Sequence, residues 1–343
     1  MLKNLLFTFL LAASVAGCTF QDHVVPEPTV REIIKTQVTQ RFGGPGNFSV
    51  GEITPGKLYV ANFDSFDGQM TVVSNLSEIL FASEPTNKGL PASLIKKVEG
   101  SAIEGGFFHN IARDSTFLSP FSIRAEYLLG GKVYSLVQDQ TGSEFTYLSH
   151  QYEMTYVLDQ LTYLPQKVQD FITARSVPNP TEVEGLSLSQ VYKNAIIGNK
   201  ELRFVSAQVF HLPGQKIQYV TSVSYYGITT LQIIFNENGD VVWVGSFDKL
   251  KKFINTIDAA DNPHLAYSNF TAGESDYFNN YFASHPMQLY KDFYLDNDLA
   301  NWRSDYSGVV SYEVHLKHKT TGERWSFKFD ENKNIITSTF SFE

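Results

Sequence analysis

Few side chains in this sequence stand at spacings that chemistry requires, and the single cysteine is the exception. Cys18 is the only thiol among 343 residues. It follows an almost unbroken apolar run from Leu5 to Val15, with Lys3 in front of that run. One thiol cannot form a disulfide within the chain, and thiolate metal sites need several cysteines. The position of Cys18 therefore indicates chemistry at the amino end of an exported chain.

The residues Val15-Ala16-Gly17-Cys18 resemble the lipobox of bacterial lipoproteins. The apolar run before them suits a secretory signal and is too short for a bilayer core of about 30 Å. The resemblance implies that residues 1–17 are a lipoprotein signal peptide and that the Cys18 thiol receives a diacylglycerol. Its freed amine would then be acylated as well. The alternative is an ordinary signal peptide in which the cysteine is incidental.

Lipid attachment predicts a membrane as one partner of this chain. Each buried methylene of an acyl chain contributes about 0.8 kcal/mol, so two or three chains hold a protein firmly. Thr19, rather than Asp, follows Cys18, which resembles the default sorting pattern for the outer membrane. We therefore expect an outer-membrane lipoprotein, facing either the periplasm or the cell surface.

The histidines and acidic turns give no support for a metal site. His315 and His318 are three residues apart on a predicted strand, where a side-chain period of two places them on opposite faces. The segment 236–240 has the Asn-x-Asn-x-Asp pattern, but it lacks the later glycine and acid of a calcium loop. We predict a plain hairpin turn there, no metal and no cofactor.

Catalytic motifs are equally weak. Ser246 lacks the flanking glycines of a nucleophile elbow. Asp296 and Asp298 are the right type for a glycosidase pair, but two carboxylates in a polar loop usually face water. We predict that no residue is catalytic and that the protein is not an enzyme. The alternative is a hydrolase whose active site is dispersed along the chain.

Composition excludes one class of partner and favours strands. The net charge is −9, with 36 acidic and 27 basic residues, which argues against nucleic acid as a partner. The 27 Phe and 18 Tyr favour a β-rich chain. Tyr225 and Tyr226 stand before a glycine at a predicted strand end, so we name them as a speculative binding pair. The alternative is that such aromatic residues pack inside the core.

The chain pattern predicts an α+β protein built of repeated modules, each an amphipathic helix packed on an antiparallel β-meander. Helices are predicted to begin after Pro91, Pro165 and Pro286, because proline suits a first helical turn. In the last copy, apolar residues alternate with polar ones along 310–317 and 324–329. We predict a flexible tether at 18–49, in which Thr29 to Arg41 could form a short helix that would be marginal alone in water. Modules at 50–152, 153–257 and 258–343 follow it.

The last copy contains a set of strand and turn motifs: Trp302, Tyr312-Glu313-Val314-His315-Leu316, Gly322-Glu323, Phe327-Lys328-Phe329-Asp330-Glu331-Asn332 and Ile335-Ile336. With these motifs the copy resembles the PepSY-like, β-lactamase-inhibitor-like domains of exported proteins in Bacteroidetes-type bacteria. The resemblance covers about the last sixty residues. It implies binding of proteins or peptides, or inhibition of enzymes, and it supplies no catalytic residue.

The function that follows is non-catalytic binding of a protein or peptide through sheet faces or edges. The resemblance implies that this binding could be inhibitor-like. One alternative is a glycan-binding accessory lipoprotein of a polysaccharide-uptake system, since aromatic rings bind sugar faces. The dispersed hydrolase is the other alternative.

Overall fold

The computed structural model describes most of the chain after residue 26. The described residues are 27–66, 68–116, 122–139, 146–174, 203–225, 229–246, 265–285, 289–296, 301–306 and 308–342. Cys18, Tyr226 and the predicted helix at 249–257 lie outside them, as does the Tyr225 side chain.

Most strands belong to one antiparallel sheet of 14 strands. It begins with eight strands in chain order: β1 (Gly46–Thr54), β2 (Leu58–Ser65), β3 (Gly68–Ser74), β4 (Ile79–Pro85), β5 (Phe107–Thr116), β6 (Ser122–Leu129), β7 (Lys132–Asp139) and β8 (Thr146–His150). The strands beyond β8 come from the end of the chain: β19 (Ile335–Ser341), β18 (Arg324–Phe329), β17 (Val309–His318), β16 (Trp302–Tyr306) and β14 (Leu265–Asn269). The short β15 (Phe293–Leu295) also pairs with β17.

The middle of the chain forms a second antiparallel sheet of five strands. Their spatial order is β13 (Val241–Ser246), β12 (Thr229–Phe235), β11 (Lys216–Tyr225), β10 (Arg203–Leu212) and β9 (Met154–Leu158). Strand β13 crosses above β17, where Trp243 Nε1 donates to the Tyr312 carbonyl at 3.2 Å. The two sheets are thus in contact through backbone as well as side chains.

Helices cover the apolar parts of both sheets. They are α1 (Val30–Phe42), α2 (Ala92–Val98), α3 (Gln166–Thr173) and α4 (Ala272–Ala283). Leu94 of α2 and Phe278 of α4 share one core with Trp325 of β18. Val168 of α3 packs with the five-stranded sheet, and Ile34 of α1 packs on β1 to β4. In the described part of the chain, no helix is both long and apolar enough to cross a membrane.

The predicted fold class is wrong. Strand makes up 53% of the structure and helix 18%, so the protein is β-rich rather than a repeat of helix-on-meander modules. Strand β8 pairs with β19, where Ser149 lies opposite Thr339, and this pairing joins early and late strands in one sheet. A meander has two edge strands with unpaired backbone N–H and C=O groups. The alternation of apolar and polar residues within a strand does not specify which of these edges pair. The predicted module boundaries remain predictions.

The helix predicted after Pro286 is also wrong in its described part. Residues 289–292 form a turn, and Phe293 begins β15, which pairs with β17. The meander is covered instead by α4, which begins after Thr271. The Thr271 hydroxyl accepts from the Glu274 amide, and the Glu274 carboxylate accepts from the Thr271 amide, a reciprocal cap that fixes the first turn.

The segment predicted as a tether contains a packed helix. α1 begins after Thr29, which forms the same reciprocal cap with Glu32. Ile34 and Val38 are fully buried against β1 to β4. The tether prediction is therefore wrong from residue 30 onward, because burial of this face stabilises a helix that would be marginal alone in water.

Several local predictions are confirmed. Helices α2 and α3 begin directly after Pro91 and Pro165. In β18 the buried residues Trp325, Phe327 and Phe329 alternate with half-buried ones.

Candidate functional site

The described residues form a groove of about 520 Å³ on the large sheet. We call it the β9 groove, because one side is the face of β2 to β6 and the other is the beginning of β9. Its lining mixes amides, hydroxyls, charges and small apolar groups: Val60, Asn62, Gln69, Thr71, Ser83, Pro85, Asn110, Ile111, Ala112, Arg124, Glu153 and Met154.

The register of β2 to β5 explains why this face is polar. Asn62 lies opposite Thr71, Thr71 opposite Ser83, and Ser83 opposite Asp114. Residues directly opposite each other share a face, so these four form a polar row across the sheet. The intervening residues point to the other face, where Phe63 and its neighbours are buried under α1.

A buried ion pair forms the floor of the groove. Arg124 Nε donates to Asp114 Oδ2 at 2.5 Å, and the two residues are 7% and 5% exposed. Ser83 Oγ donates to Asp114 Oδ1 at 2.6 Å. The guanidinium also lies 5.6 Å from the centre of the Tyr152 ring. These contacts hold the two charges in one geometry. The pairing is important because an unpaired charge that is buried this deeply would destabilise the fold.

The charge of Arg124 is stabilised despite its burial. Removal from water lowers the pKa of Arg124, but the Asp114 charge and hydrogen bond outweigh that effect, so the pKa is raised overall. The guanidinium therefore stays charged at physiological pH.

The rim on the β5 side is shaped by an irregularity in the strand. The pairing of β5 with β6 shifts between His109 and Ala112, and Asn110 has a positive φ of 41°. Asn110 Nδ2 then donates to Glu126 Oε2 at 2.7 Å. Gln151 Nε2 donates to Glu126 Oε1 at 3.1 Å, so both carboxylate oxygens are held in place. Bulges often redirect side chains in this way next to binding sites.

The opposite side of the groove is an edge strand. β9 is the last strand of the five-stranded sheet and, among the described strands, pairs only with β10. The Glu153 amide donates to the His211 carbonyl at 2.7 Å, which continues that pairing to the mouth of the groove. The other edge of β9 is therefore directed away from β10, and Met154 lines the groove beside it.

A second, shallower depression of about 490 Å³ lies on α4. It is lined by Tyr277, Asn280, Tyr281, Ala283 and Ser284, and we call it the α4 shelf. The Tyr277 and Tyr281 rings are 6.2 Å apart and nearly parallel, at 23°. Their neighbours in sequence, Phe278 and Phe282, are buried in the core instead, so the helix divides its aromatic residues between inside and outside.

One polar cluster brings together residues that sequence reasoning kept apart. His315 Nδ1 lies 2.9 Å from Ser326 Oγ, and His315 Nε2 lies 3.0 Å from Glu313 Oε1. Serine hydrolases use these residue types, but their serine stands on a strained turn that exposes it. Ser326 is in the middle of β18 and His315 is only 7% exposed, so the cluster gives no support to a hydrolase. Only the cross-strand register could have revealed it.

The structure places the other sequence candidates as follows. His315 and His318 do face opposite sides, since His318 packs on Phe293 in the core, as predicted. Asp296 does not face water: it is 1% exposed and accepts from Arg324 Nε at 2.9 Å. Its predicted companion at position 298 lies outside the described residues.

The predicted anchor and the predicted binding pair lie outside the described part of the chain. Tyr225 ends β11, but its side chain, like Cys18 and Tyr226, is not among the described residues. The turn after Asn236 is confirmed: its side-chain Oδ1 accepts from the Asp240 amide at 2.9 Å. In the described residues, no group of three or more His, Cys, Asp or Glu could hold a metal ion.

Sequence signals for the groove existed only in part. Asn62, Thr71 and Ser83 alternate with apolar residues, but such a pattern is typical of any solvent-facing strand. A scan of protein-family models and a search of curated proteins found no match to this chain.

Proposed function

We propose that this chain is an outer-membrane lipoprotein, anchored through acylated Cys18, that binds an extended segment of a peptide or protein without transforming it. The binding site is the β9 groove. The observation that carries the proposal is the meeting of a polar sheet face with the first residue of the edge strand β9 in one groove.

An edge strand suits an extended peptide because its outward backbone groups can pair with an added strand. Met154 and Glu153 stand where such a strand would begin, beside the polar row of the large sheet. Side chains of the peptide would alternate between the row and solvent. The amides of Asn62 and Gln69 can each donate and accept, as a peptide backbone requires.

The lining also favours a peptide over a sugar in this groove. Protein sites for sugars commonly present an aromatic ring to the apolar face of a pyranose. None of the described residues that line the β9 groove is aromatic.

Fluorescence anisotropy tests the groove with the full-length protein purified in detergent. The probes are three labelled peptides of about eight residues in which valine alternates with lysine, serine or glutamate. We expect saturable binding of at least one peptide. Thr71→Tyr, which places a large ring in the groove, should weaken that binding by about tenfold or more, a loss of about 1.4 kcal/mol.

Val205→Tyr is the matched control, because Val205 is on a strand, is 49% exposed and is outside the groove. It should leave the affinity unchanged. Failure of all three peptides to bind, or full affinity in Thr71→Tyr, would contradict the proposal. Mass spectrometry of the peptides after incubation should find them intact, and a cleaved peptide would support the hydrolase alternative.

The lipid anchor has a separate test. When cells that express the protein are grown with labelled palmitate, the protein should become labelled. Cys18→Ala should abolish this labelling. Label retained by Cys18→Ala would refute the anchor and leave the groove proposal unaffected.

A second candidate function, glycan binding, is favoured by the α4 shelf. Tyr277 is 38% exposed beside the near-parallel ring of Tyr281, with Asn280 and Ser284 as polar neighbours. Lys333 Nζ lies 4.0 Å from the Tyr277 ring centre and covers one face of that ring in a cation–π contact. A glycan array should show saturable binding that Tyr277→Ala removes. An array without any bound glycan would exclude this candidate.

A further inference from the structure

We infer that the β9 groove selects a peptide of positive charge, an inference that rests on the proposed function. Among the described residues that line the groove, Arg124 is the one cation and Glu153 the one carboxylate. Two further carboxylates accept hydrogen bonds from lining residues: Asp114 from Arg124 and Ser83, and Glu126 from Asn110. The excess of negative charge defines what the ligand must supply.

The Asp114–Arg124 pair is internally balanced. Asp114 receives hydrogen bonds from Arg124 Nε and from Ser83 Oγ, so its charge is satisfied within the protein. The remaining carboxylates are those of Glu126 and Glu153. Amide groups of Asn110 and Gln151 hold Glu126, and these amides are neutral donors that add no positive charge beside it.

Glu126 is close enough to Arg124, at the floor of the groove, to interact with its charge. Its charge contributes to the raised pKa of Arg124, after the larger effects of burial and of Asp114. Glu153 is exposed and lines the groove on the side of β9. A cationic side chain between β9 and the β5 rim would therefore meet a carboxylate on either side.

Arg124 also has donors left for a neutral acceptor. It is 7% exposed and lines the groove, and its Nη1 group has no hydrogen-bond partner in the described part of the chain. Because Asp114 already balances the guanidinium charge, these N–H groups suit a backbone carbonyl rather than a free anion. A basic peptide provides both the carbonyl and the cation.

An acidic peptide would be disfavoured at the same positions. Its carboxylates would lie against Glu126 and Glu153, and like charges at an interface repel. The net charge of −9 for the whole chain adds a long-range attraction for basic partners at low salt.

The three peptides of the anisotropy experiment also test this inference. The valine–lysine peptide should bind about fivefold or more tightly than the valine–serine peptide, and the valine–glutamate peptide should bind most weakly. The difference should shrink when salt is raised from about 50 mM to about 500 mM, because exposed charges are screened.

Glu153→Gln sharpens the test without burying a new group. It should weaken the affinity for the valine–lysine peptide about two- to fivefold, as expected for an exposed charge pair. The affinity for the valine–serine peptide should stay unchanged. Glu99→Gln is the matched control, since Glu99 is exposed and outside the groove. It should change neither affinity.

The outcomes separate the two claims. Equal or tighter binding of the valine–serine or valine–glutamate peptide would overturn the charge preference and leave peptide binding in place. An unchanged valine–lysine affinity in Glu153→Gln would also overturn the charge preference. Absence of binding by all three peptides would overturn the proposed function itself.

Discussion

The two faces of the large sheet are built from the same alternation of residues, but they are covered differently. Under α4, the face of β17 to β19 is aromatic and dry, with Trp325, Phe327 and Phe340 fully buried. At β2 to β6, the polar face carries a buried ion pair and remains open as the β9 groove.

The comparison shows how one sheet can combine a stable core with a binding surface. Aromatic packing stabilises through buried area and needs no exact partner for each atom. A buried ion pair contributes little net stability, because the loss of hydration offsets the attraction, but it holds polar groups in one arrangement. We therefore expect the aromatic face to govern stability and the groove to govern binding, and the following variants test that division.

The largest effect on stability is expected at the aromatic face. Trp325 is fully buried and packs against Tyr134, Tyr290 and Phe340 with ring centres 5.2–5.7 Å away. Trp325→Ala should lower the free energy of unfolding by about 5 kcal/mol, the upper part of the range for aromatic truncation. Urea unfolding monitored by circular dichroism measures it.

Trp325→Phe is the informative control for that variant. Trp325 Nε1 is buried and has no hydrogen-bond partner among the described residues, so its removal deletes an unsatisfied donor. The loss should be below about 2 kcal/mol, because most of the packing remains. A Trp325→Phe loss as large as that of Trp325→Ala would mean that the indole nitrogen, rather than packing, stabilises this face.

The second effect concerns the floor of the groove. Asp114→Asn leaves the Arg124 charge buried without its partner and should cost about 3–5 kcal/mol. The double variant Asp114→Leu with Arg124→Met should recover most of this loss, to within about 1 kcal/mol of the original protein. It should nevertheless lose peptide affinity. A double variant as unstable as Asp114→Asn would show that the pair does contribute net stability.

A third effect depends on pH. Burial, followed by the charge of Lys328, lowers the pKa of His150 to about 4, below its ordinary value of 6.5. The unfolded chain therefore binds more protons between these values, so stability is complete above pH 6.5 and falls as the pH drops to 4. The loss should reach on the order of 3 kcal/mol for this residue.

Thermal unfolding at a series of pH values measures this dependence. His150→Phe should reduce the slope of the curve between pH 6.5 and 4, since the ring beside Phe210 would no longer titrate. It should not abolish the slope, because burial also lowers the pKa of His211 to about 4. His109→Phe, at an exposed strand position, should leave the curve unchanged. An unaltered slope in His150→Phe would place the acid sensitivity elsewhere.

The smallest effect on stability is expected in the open part of the groove. Thr71 is half-buried, and its hydroxyl donates to Asn62 Oδ1 at 2.8 Å. Thr71→Tyr should change the free energy of unfolding by less than about 1 kcal/mol, because tyrosine suits a strand and the hydroxyl bond is worth little. Peptide affinity should nevertheless fall by about tenfold or more. Loss of stability beyond about 2 kcal/mol would mean that Thr71 supports the sheet itself.

Some of the architecture was readable locally, and some readable signals were missed. The alternation at 324–329 predicted β18, and the prolines at 91 and 165 predicted the starts of α2 and α3. Thr29 with Glu32, and Thr271 with Glu274, have the spacing of a reciprocal helix cap. That signal could have revealed α1 and α4 as helices with capped first turns.

Other features were not readable from the sequence. The prediction of a helix after Pro286 was wrong because an apolar residue such as Phe293 fits the buried side of a helix or of a strand. Only its pairing with His318 of β17 made this segment a strand. The β9 groove forms only where β5, β6 and β9 come together in the folded protein. The cluster around His315 depends on the pairing register of β17 with β18.

The sequence by itself determined several strands and turns and the starts of α2 and α3, together with a lipobox-like amino end. These features depend on a period of two, on turn residues and on neighbours three or four positions apart, which are short-range properties. Only the tertiary structure decided that β8 joins β19, that α1 is packed, and that Asp114 and Arg124 lie under an open groove. Strand partners are chosen by edges far apart in the chain, and alternation within a strand leaves that choice undetermined.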